Sequence, residues 1–260
     1  MNIIFQRQVM LSWFSIFMDN GDIHTKQWPN ESKEQYIEHH CRYIHKVFDI
    51  LVENNLYVKP EKCAFKQEEI EYLDVIVGRG QLCMDPKKLH AVLYYLMPQN
   101  TTDIQAFLGF TGYYQYFIKN YSAIIQPLLA LTRKSVAFHW GQEKQEAFDK
   151  IRTIMCQAPV LCQPSFEKKF YLQTDASVYS VGVILLQEGD TTITLLTKFK
   201  KPVTHPVAFF SATFTPTDQN YDIYERELLA MMKALTHWRP YLGWTEFPFT
   251  IMTDHANLQY

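Results

Sequence analysis

FYLQTDAS at residues 170–177 and FTIMTDHA at residues 249–256 are the two stretches that decide the fold expected for the C-terminal part of this chain. Each is a run of strand-like composition ending in Thr-Asp, so Asp175 and Asp254 are predicted at strand ends. A long helix is predicted between them. Because strands joined by a helical crossover commonly lie parallel, we expect both aspartates at the carboxyl edge of one sheet.

Further strands are predicted around this pair, at VGVILLQ (181–187), ITLLTKF (193–199) and HPVAFFSATF (205–214), which makes the region α+β. The helix between the two Thr-Asp strands has apolar residues at helical spacing, and this stripe is predicted to face the core. Its members are Tyr221, Tyr224, Leu228, Met231, Met232 and Leu235. Glu225 and Glu227 flank the stripe on opposite sides, and spacing alone does not choose between them.

The N-terminal part predicts a smaller sheet and a helix. LSWFSIF (11–17) has the composition of a buried strand, and the polar residues 19–22 predict a turn into a second strand. Helical spacing of apolar residues follows from Asn30 and ends near Asn54. Two more strand-like pieces follow, LYVKPEKCAF (56–65) and IEYLDVIVGRG (70–80).

The middle of the chain predicts helices. Asp85 and Pro86 have the residue types of a helix N-cap and first position. Short helices are expected up to residue 132, and the many aromatic side chains between 107 and 117 are interpreted as their core. A further helix is predicted over 142–155.

Composition restricts the class of protein. With 260 residues, 47% of them hydrophobic, the chain is long enough for about two domains. A formal net charge of -2 neither indicates nor excludes a nucleic-acid partner. Five cysteines without a CxxC pair predict reduced thiols, no disulfide-linked partner and an intracellular, non-secreted protein. No apolar run has the length of a membrane span, so no membrane partner is expected.

Two neighbouring carboxylates repel each other unless a cation lies between them. Mg²⁺ prefers carboxylate oxygens, and two such ions can hold the attacking and leaving oxygens of a phosphodiester. The alternative is a pair of surface turn aspartates at Asp175 and Asp254. A zinc site at Cys41 and His45 is disfavoured, because only these two of the nearby ligand types share a helix face.

The motifs TDAS, ERELLA (225–230), TDHA and HPVAFFSATFTPTDQNY (205–221) together resemble the RNase H domain of gypsy-type LTR retrotransposon reverse transcriptases. Residues 37–65 and 107–131 resemble the end of the palm and the thumb of the same enzymes. The resemblance implies three domains. They are a palm remnant with a primer-grip-like hairpin at 1–80, a helical thumb or connection at 81–135, and an RNase H-like domain, truncated at its C-terminus, at 136–260.

The resemblance also implies a site. The glutamate directly before Leu-Leu-Ala is the family's metal ligand, so the implied catalytic residues and metal ligands are Asp175, Glu227 and Asp254, with Glu225 an outer candidate. Asp19 is the implied metal ligand of a polymerase motif. The implied ancestral activities are RNA-directed DNA synthesis and hydrolysis of RNA in RNA–DNA hybrids with two Mg²⁺ ions. The implied partners are such a hybrid or other nucleic acid, and the rest of the pol polyprotein.

The sequence also departs from the family pattern. FMDN (17–20) has Asn20 where the family has a second aspartate, and Asp74 stands where glycine is usual. The chain begins just before FMDN and ends at Tyr260, before the family's fourth RNase H carboxylate. We therefore expect incomplete polymerase chemistry. The alternative to an active enzyme is an inactive, truncated retroelement remnant that retains at most nucleic-acid binding.

Overall fold

The computed structural model describes residues 4–10, 13–134, 136–189 and 204–253. The chain divides into two compact units, residues 1–79 and residues 80–260. The helices and strands of the first unit, in chain order, are α1 (Gln6–Met10), β1 (Phe14–Phe17), β2 (Asn20–Ile23), α2 (Lys33–Glu53), β3 (Glu69–Tyr72) and β4 (Val75–Gly78).

Strands β1 and β2 form the predicted antiparallel hairpin, but its turn lies earlier than predicted. Phe17 pairs with Asn20, so the turn consists of Met18 and Asp19. Residues 20–22, which the polar composition placed in the turn, belong to β2. Met18 takes a left-handed backbone with φ 54°, which permits this tight reversal. The exposed turn carries Asp19 at its tip.

Helix α2 confirms the helix predicted from Asn30 to Asn54. Ser32 starts it with a capping box, in which the Ser32 hydroxyl accepts from the Gln35 N–H and Gln35 reaches back to the Ser32 N–H. Val47 and Leu51 of α2 pack against Trp13 and Phe14 in the core of the first unit. This packing holds the β1–β2 hairpin against the helix.

Only one of the two strand-like pieces that follow is extended. Residues 56–65 contain a short 3₁₀ turn at Pro60–Lys62 and no strand, in keeping with a proline that lacks a donor for a sheet ladder. Residues 70–80 form the β3–β4 hairpin instead. Its turn residues Leu73 and Asp74 have φ of 50° and 61°. Aspartate tolerates this left-handed region, which explains why a residue other than glycine fits at position 74.

The second unit contains six helices and six strands among its described residues. The helices are α3 (Pro86–Leu93), α4 (Thr101–Tyr113), α5 (Tyr121–Ala130), α6 (Gln142–Cys156), α7 (Ile223–His237) and α8 (Arg239–Leu242). The strands are β5 (Gln81–Met84), β6 (Leu161–Cys162), β7 (Phe170–Ala176), β8 (Ser180–Glu188), β9 (Thr204–Thr213) and β10 (Thr250–Met252). The strand predicted at 193–199 lies outside the described residues.

The helical predictions for the middle of the chain are confirmed. Asp85 caps α3 by accepting from the Lys87 N–H at 2.9 Å, with Pro86 in the first helical position. Phe107, Tyr114 and Phe117 are fully buried, as the aromatic cluster predicted, although Tyr113 is 47% exposed. Within the described residues, no helix is long and apolar enough to span a membrane.

The main sheet of the second unit has the strand order β10-β7-β8-β9. Strands β7, β8 and β9 pair antiparallel, while β10 returns after α7 and pairs parallel with β7, as predicted. Alternate residues of β7 point to opposite faces. Leu172 on one face packs in a core with Ala230 and Ala234 of α7, and we call this face the α7 face. Ser211 on the other face bonds to Ser122 of α5, and we call this the α5 face.

Candidate active site

Asp175 lies one residue before the end of β7 and is exposed. Its neighbour Thr174 is buried and lies on the α7 face, so the strand alternation places Asp175 on the α5 face. Its cross-strand partner in β8 is Gly182. The Asp175 carboxylate therefore stands at a strand end beside a residue that has no side chain.

Glu227 reaches the same strand end from α7. Its side chain is only 4% exposed, and its Oε1 accepts a hydrogen bond from the Ala176 N–H at 3.2 Å. Ala176 follows Asp175 directly, so Glu227 binds the peptide group next to Asp175.

The direction of this N–H shows where Glu227 lies. The next N–H along the strand, that of Ser177, donates to the Ser180 carbonyl at 2.9 Å. Because hydrogen-bonded pairs alternate along an antiparallel ladder, the Ala176 N–H points away from β8, to the side on which β10 pairs with β7. Glu227 thus lies on the β10 side of β7, beyond the last pair that the described residues of these two strands make.

The structure separates the two glutamates that helical spacing left open. Glu225 is exposed, and its Oε2 accepts from the Asp222 N–H at 3.1 Å as part of the capping box that starts α7. It serves the helix N-terminus. Glu227 is buried on the face of α7 that packs against the sheet, as are Ala230 and Ala234 one and two turns later. Burial and contact with the sheet therefore distinguish Glu227 from Glu225, while Glu227 as a metal ligand stays a prediction.

The predicted apolar stripe of α7 is only partly confirmed, because Leu235 packs against the core of the sheet while Leu228 is 44% exposed. Tyr221, Tyr224 and Met232 are exposed as well. The helix instead turns Ala230 and Ala234 to the sheet, followed by Trp238 at its C-cap. Small side chains allow the helix backbone to approach the strands closely, which larger side chains on that face would prevent. The alanines at helical spacing from Glu227 were the signal in the sequence.

Asp254 lies outside the described residues, so its place in the site stays a prediction. The register of β10 bears on it only indirectly. Met252 pairs with Gln173 in the parallel ladder. In the sequence, Asp175 lies two positions after Gln173, and Asp254 lies two positions after Met252.

The donors at this site suit a hard divalent cation in kind. Asp175 offers an exposed carboxylate, and Glu227 offers one whose orientation is held by the Ala176 N–H. Among the described residues, no three or more His, Cys, Asp or Glu side chains are arranged to hold a metal ion. The predicted third ligand, Asp254, lies outside those residues.

The other predicted metal positions lie in the first unit. Asp19 is exposed in the β1–β2 turn, and nearby Asp22 pairs with His24, with 3.3 Å between Oδ2 and Nδ1. Asp19 as a ligand therefore remains a prediction. Near the disfavoured zinc pair, His39 is buried 3.4 Å from Glu31, with its ring centroid 4.1 Å from that of Trp28.

The start of α5 was not singled out from the sequence, yet three consecutive residues there contact three different elements. The Tyr121 hydroxyl lies 2.8 Å from Thr111 Oγ1 of α4 in a buried contact. The Ser122 N–H donates to Ser211 Oγ of β9 at 2.8 Å, and the Ser122 hydroxyl donates to the Ser211 carbonyl at 2.9 Å. Asn120 lies against Gly182 of β8. No local pattern predicts such contacts, because their partners are distant in the chain.

Comparison with known proteins gives one family and several relatives. Residues 140–251 match the model of the family described as RNase H-like domain found in reverse transcriptase. The Tf2-7 and Tf2-3 transposon polyproteins of Schizosaccharomyces pombe (strain 972) are each 32% identical to this chain over 242 residues. These matches cover 93% of this chain but only 17% of each relative.

Solved structures support the fold. A foamy viral protease-reverse transcriptase in complex with RNA/DNA hybrid superposes with a TM-score of 0.78 at 20% identity, over 98% of this chain and 31% of that one. A second foamy viral structure, in complex with dsDNA, gives a TM-score of 0.72 at 19% identity over 99% of this chain and 58% of that one. At this identity the likeness concerns the fold alone. It confirms the α+β class and the mixed sheet predicted from the sequence.

Proposed function

We propose a function for this chain on the basis of two similarities. Residues 140–251 match the family described as RNase H-like domain found in reverse transcriptase, and 93% of the chain is similar to transposon polyproteins. The proposed activity is Mg²⁺-dependent hydrolysis of the RNA strand of RNA–DNA hybrids, as part of a gypsy-type LTR retroelement. The observation that carries this proposal is the hydrogen bond from the Ala176 N–H to the buried Glu227, at the peptide that directly follows Asp175.

The two described carboxylates have different tasks in this proposal. Glu227 is buried and hydrogen-bonded, so its oxygens keep one orientation without reorganisation. Asp175 is exposed at the strand end, where a phosphodiester can approach it. Asp254 would complete the set. Bound Mg²⁺ would supply positive charge to both the attacking and the leaving oxygen.

The substrate is proposed on chemical grounds and by analogy. Hydrolysis of only the RNA strand requires recognition of 2′-hydroxyls and backbone shape rather than base sequence. One structural neighbour was solved in complex with RNA/DNA hybrid. The chain spans about 17% of the length of its transposon relatives, so other parts of a pol polyprotein are proposed as its partners.

DNA synthesis is not part of the proposed activity. The turn of the β1–β2 hairpin carries the exposed Asp19, but the next residue is Asn20, whose neutral amide lacks the charge that helps to hold Mg²⁺ against water. This substitution is also the observation that favours the second candidate, an inactive remnant. An intracellular site is inferred from five free cysteines.

The decisive experiment is a gel assay of the purified chain with end-labelled RNA annealed to DNA and with Mg²⁺. Asp175→Asn is the test variant, and Asp149→Asn on the exposed surface of α6 is its matched control. We expect cleavage by the unaltered chain and the control, and none by Asp175→Asn. Absence of cleavage by the unaltered chain would support the remnant instead.

A further inference from the structure

The α5 face carries a row of three paired residues that runs across the sheet. Asp175 of β7 pairs with Gly182 of β8, and Gly182 pairs with Ser211 of β9. Directly paired residues of neighbouring strands point to the same face, with their Cβ positions about 5 Å apart. Asp175 and Ser211 are thus two side chains on either side of a gap at Gly182.

The segment Asn120–Ser122 lies on this row. Ser122 and Ser211 are joined by three hydrogen bonds of 2.8 to 3.1 Å. Two residues earlier, Asn120 occupies the space above Gly182. A Cβ placed on Gly182 would overlap Asn120 Oδ1 and would lie 3.0 Å from its Cγ. Asn120 therefore supplies the side chain that Gly182 lacks.

The backbone of Asn120 is adapted to this contact. It takes a left-handed conformation with φ 57° and ψ 32°, in which asparagine is one of the few tolerated residues. Asn120 is the N-cap residue of α5, yet its side chain makes no capping hydrogen bond. By contrast, Asn100 at the start of α4 accepts from the Asp103 N–H at 3.0 Å. The Asn120 side chain is directed to the sheet rather than to its own helix.

We propose that Asn120 is a positioning residue for Asp175. Its carboxamide fills the cross-strand space beside Asp175, so the aspartate side chain cannot fold over Gly182 and is kept toward the strand end where Glu227 lies. The inference rests on the proposed function, since it assigns Asp175 the task of holding a cation. The two residues after Asn120 anchor the segment, Tyr121 through Thr111 and Ser122 through Ser211.

Three variants and one control test this role. Asn120→Gly removes the carboxamide but keeps a residue that accepts a left-handed backbone. Gly182→Ala places a methyl group in the space of Asn120 Oδ1. The double variant Asn120→Gly/Gly182→Ala restores a filled space without overlap. Asn100→Gly is the matched control, because it removes an asparagine from a helix start that has no contact with this row.

The first measurement needs neither hydrolysis nor metal. In chain labelled with ¹³C at aspartate, the chemical shift of the Asp175 carboxyl signal is recorded at one fixed pH. We expect Asn120→Gly and Gly182→Ala to move this signal, because the space beside the side chain changes, and Asn100→Gly and the double variant to stay close to the unaltered chain. An unchanged Asp175 signal in folded Asn120→Gly would overturn the proposal, whether or not the chain cleaves RNA.

The second measurement is titration with Mg²⁺ alone, followed at the Ala176 amide signal. Loss of an outer residue that orients a metal ligand weakens metal affinity by about 10- to 100-fold. We expect that loss in Asn120→Gly, with recovery in the double variant. If no chain binds Mg²⁺, the proposed function fails, and the chemical shift of the Asp175 carboxyl signal alone decides the role of Asn120. Equal Mg²⁺ affinity of Asn120→Gly and the unaltered chain would contradict it.

Discussion

Glu227 Oε1 accepts a hydrogen bond from the Ala176 N–H at 3.2 Å, and this contact joins helix α7 to the end of strand β7. The helix comes close enough because it presents alanines to the sheet at positions 230 and 234. The N–H that it binds belongs to the peptide that follows Asp175. One hydrogen bond therefore fixes the buried Glu227 at the peptide next to the exposed Asp175.

Glu227→Gln should abolish most hydrolysis while keeping the fold. The amide oxygen of glutamine can still accept from the Ala176 N–H, but the negative charge for the cation is lost. We expect cleavage of an RNA–DNA hybrid to fall by at least about 100-fold, more than the loss of an outer residue would cause. Initial cleavage rates at saturating Mg²⁺ measure this.

Glu225→Gln is the control for that variant. Glutamine preserves the capping box, because its carbonyl can accept from the Asp222 N–H as Glu225 does now. Cleavage should stay within about two-fold of the unaltered chain, since the residue serves only the helix start. A larger loss in Glu225→Gln than in Glu227→Gln would mean that the assignment of the two glutamates is reversed.

Ala230→Leu should destabilise the second unit even though it adds apolar surface. Ala230 is fully buried between α7 and the sheet, and extra methylene groups in a packed core cost about 1–3 kcal/mol. Leu228→Gln on the exposed side of the same helix should change the free energy of unfolding by about 0.5 kcal/mol or less. Urea unfolding compares the two variants. The apolar stripe read from the sequence predicts the opposite order.

Ser211→Ala should weaken the attachment of α5 to the sheet. The variant removes the hydroxyl that accepts from the Ser122 N–H at 2.8 Å, so the partly buried Ser122 N–H loses this acceptor. Such a loss costs about 1–3 kcal/mol. The midpoint of urea unfolding should fall with an unchanged slope. Thr153→Ala, whose hydroxyl donates within its own helix α6, should stay close to the unaltered chain.

His237 should lower the free energy of unfolding as the pH falls below the ordinary pKa of histidine. Burial lowers the pKa of His237, because it disfavours the charged ring, which stacks on Phe210 with centroids 4.1 Å apart. Between the folded and the unfolded pKa the unfolded chain binds more protons, so stability rises with pH there. The contribution is complete above the ordinary histidine pKa of about 6.5 and is lost as pH falls through the lowered folded pKa.

The measurement for His237 is urea unfolding at a series of pH values from about 7.5 down to 5, across the ordinary histidine pKa. His237→Phe keeps an aromatic ring for Phe210 but has no proton to bind. The unaltered chain should lose more stability over this range than His237→Phe does. An equal loss in both chains would show that other groups cause the dependence.

Local features of the sequence predicted most elements of the fold. Ser32 and Asp85 start helices because their side chains accept from backbone N–H groups within the next turn, so a few residues contain the whole signal. The errors arose where local signals compete. Residues 56–65 are apolar enough for a strand, but Pro60 favours a turn. The polar residues 20–22 lie in β2 and not in the turn, because Met18 takes the left-handed turn position.

The sequence predicted the position of Asp175 at a strand end, whereas its role as a metal ligand stays a prediction. The Thr-Asp motif and the parallel return of the last strand placed Asp175 at a strand end beside β10, which the register bears out for the strands. The helical spacing of apolar residues did not choose between Glu225 and Glu227 as the residue near the core. That spacing carries no information on how close the helix must lie to the sheet. The family motif selected Glu227 from sequence, and packing supplies the physical reason.

By itself, the sequence determined the α+β class, the resemblance to the RNase H domains of reverse transcriptases and the residue types that can hold a divalent cation, since each depends on short motifs and on alternation along one element. Only the tertiary structure decided which face of α7 is buried, that Glu227 meets the Ala176 peptide, and that Asn120 fills the space above Gly182. Such contacts join residues that are far apart in the sequence: Ala176 and Glu227 are 51 positions apart, and Ser122 and Ser211 are 89 positions apart. They depend on how closely whole elements pack, which no local pattern records.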